Sequence, residues 1–184
     1  KSGEVKFSIV TPTFNSAATV RDCLESIARQ KGVTFEHIVI DGGSTDETLP
    51  LIKSATPPPA VLVSEADAGI YDAMNKGIRR ASGDGIGILN SDDFYAADDV
   101  LAAVGETLEK TGLDSCYGDL DYVDRADTNR IVRRWRSKPY RPELFRRGWM
   151  PPHPAFFVRK AVYDKHGLFN LDFPLAADYE LMLR

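Results

Sequence analysis

Apolar positions along the chain recur with two different spacings, and the spacing changes at regular intervals. Short apolar runs at Lys6 to Pro12 (KFSIVTP), His37 to Asp41 (HIVID), Ala60 to Ser64 and Ile86 to Leu89 read as strands of a buried sheet. Between them the spacing becomes helical. Val20, Cys23, Leu24, Ile27 and Ala28 form one stripe. Ile70, Met74, Ile78 and Ala81 form another, with Asp72, Lys76, Arg79 and Arg80 opposite, and Val100, Leu101, Val104 and Leu108 a third. Asn15 or Ser16 stands where it can cap the first helix. Ser44 and Glu47 have capping-box spacing ahead of a helix that follows Gly42-Gly43. Four strand–helix alternations predict an α/β fold, doubly wound, with right-handed crossovers and a mostly parallel sheet.

After about residue 113 the pattern changes. Ser115 to Asp124 alternates loosely and predicts one or two strands, and Arg130 to Arg136 predicts a strand pairing back in a hairpin. Trp149 to Pro154 is an irregular loop, Ala155 to Val158 a short strand, and Lys160 to His166 a short helix closed by Gly167. Ala176 to Arg184 starts a helix without a stop signal, so the chain is expected to be truncated at its C-terminus. The expectation is one domain over 1–184, with a larger half at 1–113 and a smaller one at 114–184.

Composition narrows the class. The 184 residues are 43% hydrophobic and 27% charged, enough for a full core in one domain. A net charge of −4 argues against wholesale nucleic-acid binding. Cys23 and Cys116 are far apart and read as reduced core thiols rather than a disulfide or zinc site. No apolar run approaches the ~20 residues of a bilayer span, and no signal peptide is expected. A cytoplasmic location is expected. Eight basic residues and one acid lie between Arg130 and Arg147. They form either a solvated face or a patch for a phosphorylated acceptor or an anionic membrane surface, at the inner face of the membrane.

The candidate chemistry is carboxylate chemistry. Ile86-Gly87-Ile88-Leu89 runs into Asn90-Ser91-Asp92-Asp93, and the carboxyl ends of strands are where open α/β sheets bind ligands. Two adjacent acids there call for a cation, and oxygen ligands suit a divalent one. Asp41, Asp67 and Asp178 stand at other strand ends or loop-to-helix junctions. Each alone reads equally as a turn or capping residue. Together they call for a shared cationic or hydroxyl-rich partner. Small residues after the first two strands favour a nucleotide-like ligand, yet neither GxGxxG nor GxxxxGK[ST] occurs.

Six segments, IVTPTFN, VIDGGSTDET, SEADAGIYDAMNKGI, ILNSDD, PHPAFFVRK and ADYELMLR, run in order between Ser8 and Arg184. In this the chain resembles the inverting family 2 glycosyltransferases of GT-A (Rossmann-like) fold, of the bacterial saccharide-biosynthesis type. The resemblance implies a nucleoside-diphosphate-sugar donor, UDP-sugars favoured, and a saccharide or lipid-linked acceptor. It implies that Thr11, Pro12, Thr13 and Asn15 line the nucleotide pocket. Asp41 would bind the base, Asp67 would sit near it, and the segment from Gly69 to Lys76 would lie behind. Asn90-Ser91-Asp92-Asp93 takes the place of the DxD signature, with Asn at its first position. Asp93 is then the main ligand of a divalent Mg2+ or Mn2+, and Asp92 reaches ribose or sugar hydroxyls. Asp178 takes the place of the catalytic base, and Ala177 replaces the acid usual before it. His153, in Pro-Pro-His-Pro, reads as a metal or phosphate ligand or as a packed turn residue, and Trp149 as part of the acceptor side.

Three other classes compete, and one of them, a nucleotidyltransferase of shared architecture, needs a glycine- and lysine-rich first loop where this chain has Thr-Pro-Thr-Phe-Asn. A receiver-like signalling domain also gathers acids around a metal, but near its first strand rather than its fourth. A non-catalytic nucleotide-sugar-binding module would explain the neutral Asn90 and Ala177.

Overall fold

The computed structural model describes residues 5–184. In chain order the elements are β1 (Phe7–Thr13), α1 (Val20–Ala28), β2 (Phe35–Asp41), α2 (Thr48–Lys53), β3 (Val61–Ser64), α3 (Ile70–Arg80) and β4 (Gly85–Ile88). There follow α4 (Val100–Thr111), β5 (Ser115–Tyr117), β6 (Leu120–Val123), β7 (Ile131–Trp135) and α5 (Pro142–Phe145). The chain closes with a 3-10 turn (His153–Ala155), β8 (Phe156–Arg159), α6 (Lys160–His166) and α7 (Ala177–Leu183).

Six strands form one sheet in the order β3-β2-β1-β4-β8-β5, and β6 and β7 form a separate hairpin. β1 to β4 are mutually parallel, because each is joined to the next by a helical crossover. β8 adds an antiparallel strand at the β4 edge, and β5 pairs antiparallel with β8, so that it runs in the direction of β1 to β4. The sheet is mostly parallel, as expected, with the antiparallel part drawn from the second half of the chain.

β1 is buried along its whole length and decides the layering. Its Phe7 and Ile9 face Cys23, Ile27, Leu101 and Leu108 of α1 and α4. Val10, one residue out of phase, faces Met74 and Ile78 of α3. Glycine permits the closest approaches. A Cβ on Gly77 would stand 2.2 Å from Val10 Cγ1, so α3 lies directly on β1. A Cβ on Gly87 would stand 2.7 Å from the Phe157 ring that packs over β4.

Several local expectations are corrected. Neither Asn15 nor Ser16 caps α1 with its side chain; Thr19 is the N-cap residue, and Asn15 and Ser16 bond to neighbouring loops instead. The capping box at Ser44 and Glu47 does not form. Ser44 donates to Asp41, and Asp46 accepts from the Thr48 amide at 3.0 Å. Ile70 is 49% exposed rather than part of the buried stripe, because Gly69 (φ +105°) starts α3 at the rim of the sheet. The short α5 carries no stripe long enough to stand out in sequence.

Candidate active site

The strand register itself gathers the first group of polar residues. Thr13 pairs with Asp41 and Asp41 with Ser64, so three side chains lie abreast at the carboxyl ends of β1, β2 and β3. Asp41 is fully buried and accepts from five donors: Thr13 Oγ1, Ser44 Oγ, Ser64 Oγ and the amides of Gly43 and Ser44. Burial acts to raise its carboxyl, but the hydrogen bonds from Ser44, Ser64 and Thr13 outweigh it and hold the group below the usual range. Asp41 thus ties three strand ends together from behind the cleft wall.

The loops in front are stitched to one another. Asn15, with φ +48°, donates its amide to Ser44 Oγ at 2.8 Å and accepts from the Thr45 amide at 2.9 Å. Ser16 Oγ meets Ser91 Oγ at 2.7 Å, joining the β1 loop to the β4 turn. A cleft of about 1090 Å³ opens between these loops. Pro12, Thr13 and Asn15 line one side, Asp67, Gly69 and Ile70 another, and Asn90, Ser91 and Asp92 the floor. Phe14 and Ile70, 63% and 49% exposed, present apolar faces to it. The tip of the β6–β7 hairpin, with Asp124, Arg125 and Thr128, closes the remaining side.

Asp67 is held in place by its surroundings. Its Oδ1 accepts the Gly69 amide at 2.9 Å, and a Cβ on Gly42 would come within 2.7 Å of its Oδ2. Lys76 reaches Glu65, Asp72 and the Ala66 carbonyl, bracing the loop that carries it.

In the β4 turn, the Asp93 amide donates to the Asn90 carbonyl at 3.0 Å, and Asn90 Nδ2 donates to Asp93 Oδ2 at 3.2 Å. Asn90 Oδ1 is buried with no donor. Asp92 is exposed and Asp93 half-buried. Burial first, and the Asp92 charge second, push the Asp93 carboxyl up to about 6. These hard oxygens, one with an unfilled acceptor and one short of a positive neighbour, fit a divalent cation. Among the described residues no three His, Cys, Asp or Glu side chains converge, so the donor and water would complete the shell.

The second half of the chain contributes through α3. Tyr71 donates its hydroxyl to Asp178 Oδ1 at 3.0 Å, across 107 residues of sequence. Asp178 is half-buried at the start of α7. His153 is buried, its ring edge-on to Phe169 at 5.5 Å. Burial lowers its pKa, and the charge of Asp178 acts in the other direction.

Not every expected residue reaches the cleft. Thr11 is fully buried and does not line it. On β1 it shares a face with Phe7 and Ile9, and its hydroxyl meets His37 Nε2 at 2.9 Å within the core. Trp149 packs among Tyr117 and Phe145 in an aromatic cluster. Three of the eight basic residues are engaged, Arg130 by Asp124, Arg136 by Asp119 and Asp121, and Arg133 by the Tyr122 ring. Tyr71, Phe14 and the hairpin tip were not singled out by the sequence. Tyr71 lies inside the SEADAGIYDAMNKGI segment, which is the one signal it gives.

A mostly parallel sheet with an acid-ended fourth strand and a wide cleft over its carboxyl edge is the arrangement that the resemblance to GT-A glycosyltransferases implies. The chain belongs to glycosyl transferase family 2, whose pattern matches residues 8–167. It is 37% identical over 183 residues to a PGL/p-HBAD biosynthesis glycosyltransferase of Mycobacterium tuberculosis, covering 97% of this chain and 68% of that protein. Its fold is shared by Staphylococcus aureus TarS 1-349 in complex with UDP, with TM-score 0.73 and 21% identity over 96% of this chain. It is also shared by the mannosyltransferase PcManGT of Pyrobaculum calidifontis in complex with GDP-Man and Mn2+, with TM-score 0.70 and 20% identity over 93%. The chain spans about half of those two structures, 53% and 49%. The chain is therefore a glycosyltransferase, and a receiver-like reading falls away.

Proposed function

We propose that the chain transfers a glycosyl group from a nucleoside-diphosphate sugar to an acceptor hydroxyl, with inversion and with a divalent metal. One observation carries this reading. Asp178 lies 85 positions after Asp93, yet it is bonded to Tyr71 in the α3 turn whose Gly69 and Ile70 line the cleft floored by Asn90 and Asp92. This link supports reading the leaving-group end and the base end as parts of one site.

Residues 1–113 would hold the donor and 114–184 the acceptor. Phe14 and Ile70 offer apolar faces to a base, Thr13, Asn15 and Asp67 polar ones to the nucleoside, and Asp92 an acceptor for ribose or sugar hydroxyls. Asp93, with Asn90 beside it, would hold Mg2+ or Mn2+, which stabilises charge on a departing diphosphate. Asp178 takes the proton of the acceptor hydroxyl as that oxygen bonds to the anomeric carbon. The bond from that carbon to the phosphate oxygen breaks, and its electron pair leaves with the diphosphate. The UDP complex of TarS supports a UDP-sugar, and the Mn2+ complex of PcManGT supports a metal. A saccharide or lipid-linked acceptor fits the M. tuberculosis relative's role in PGL/p-HBAD biosynthesis. Exposed Ile131 and Val132 beside the arginines of β7 support peripheral contact with an anionic membrane surface.

The test pairs two variants. Asp93→Ala should remove metal-dependent binding of UDP in calorimetry, whereas metal-independent binding would overturn the metal assignment. Asp178→Asn should abolish transfer while leaving UDP binding intact. Proton NMR of the product should show the anomeric configuration opposite to that of the donor.

A further inference from the structure

Helix α3 carries two polar side chains one turn apart that both reach into the second half of the chain. Tyr71 donates to Asp178, as described. Asn75, fully buried, accepts the Phe169 amide and donates to the Phe169 carbonyl, both at 2.9 Å. The Tyr71 ring stacks on the Phe169 ring at 5.4 Å and 27°. One face of α3 therefore grips the segment leading to α7, while its first turn, at Gly69 and Ile70, lines the donor cleft.

We propose that Tyr71 is a positioning residue that fixes the Asp178 carboxylate relative to the donor cleft. The hydroxyl takes Asp178 Oδ1, leaving Oδ2 for the acceptor. The phenol is itself immobilised by the stack on Phe169, which Asn75 anchors through both backbone groups. Such a link has a physical purpose. α7 is anchored by Ala177 and Leu181 in the core, by Tyr179 stacked on Phe145 and by Arg184 on the His166 and Leu168 carbonyls, and the direction of the Asp178 carboxylate on its first turn is set by the Tyr71 hydroxyl. A hydrogen bond to a charged group is roughly twice as strong as a neutral one and sets direction as well as distance. Small misplacements of a base are costly in rate. Burial and the Asp178 charge push the Tyr71 hydroxyl up to about 12, so it stays protonated and a donor at any working pH.

This proposal rests on Asp178 being the base, and the test separates the two. Asp178→Asn, Tyr71→Phe and the double variant are compared for hydrolysis of UDP-glucose and UDP-GlcNAc and for UDP binding by calorimetry. Tyr71→Phe keeps the ring and the stack, so the fold should hold. Its kcat should fall about ten- to hundredfold, with UDP affinity unchanged and Tm lowered by only a few degrees. In the Asp178→Asn background the same change should cost less than twofold, because Tyr71 then has no carboxylate to position. Hydrolysis in Asp178→Asn within about tenfold of the native rate overturns the base assignment. Loss in Asp178→Asn with full activity in Tyr71→Phe overturns the positioning role alone. A second measurement is independent of turnover. The Asp178 Cγ resonance should move in Tyr71→Phe while those of Asp67 and Asp92 stay, and an unmoved Asp178 signal overturns the proposal.

Discussion

Asp92 and Asp93 follow one another at the end of β4, and neither forms an ion pair among the described residues. The burial and repulsion that push Asp93 up to about 6 have a consequence for stability. Between about pH 4 and 6 the folded state keeps a proton that the unfolded chain has lost. The contribution of Asp93 is therefore greatest below pH 4 and is lost as pH rises through 6. The metal-free Asp93→Asn protein should lose about 1–2 kcal/mol less than the native one on going from pH 5 to pH 7, as read from urea unfolding. The sequence exposed these acids because adjacent carboxylates after an apolar strand are hard to explain as structure. It placed Thr11 wrongly because a motif gives positions and not depth. Thr11 shares its face of β1 with Thr13, which does line the cleft; the difference is depth along the strand, Thr13 standing at the carboxyl end and Thr11 two residues inside the core.

Among the elements, α3 has the most to do, and its close contact with β1 turns on one atom. Alanine is ordinarily better than glycine in a helix by about 1 kcal/mol. At position 77 that gain should be outweighed, since a Cβ would stand 2.2 Å from Val10 Cγ1, inside the cluster that also holds Met74 and Ile78. Gly77→Ala should destabilise by roughly 1–3 kcal/mol in denaturant unfolding. Combining it with Val10→Ala should cost less than the sum of the two single changes, a non-additivity expected of residues in contact. Strands, helices and even the β6–β7 hairpin were legible because their apolar spacing is local. The caps were not. Ser16, Ser44 and Asn15 have the chemistry of capping residues, but each is bound by a different loop. Which partner a short polar side chain takes depends on which loops the sheet brings alongside.

For the molecule as a whole, the cleft should report its own ligand. A ligand bound only by the folded state, at a hundred times its Kd, stabilises by about 2.7 kcal/mol. For a chain of this size that raises Tm by about 5–10 °C. UDP-sugars with Mn2+ should give such a shift, EDTA should remove most of it, and GDP-sugars should give less. An equal shift with and without EDTA would count against the metal.

The sequence by itself determined the alternating α/β order, the family and the carboxylates at strand ends, because periodicity and motif are written in neighbouring residues. Tertiary structure alone decided which acids face the cleft. It closed Asp41 within five donors, left Asp92 open, and brought Tyr71 to Asp178 across 107 residues. The reason is physical. A side chain's direction and partners follow from strand register and helix packing, and those exist only once distant segments have met.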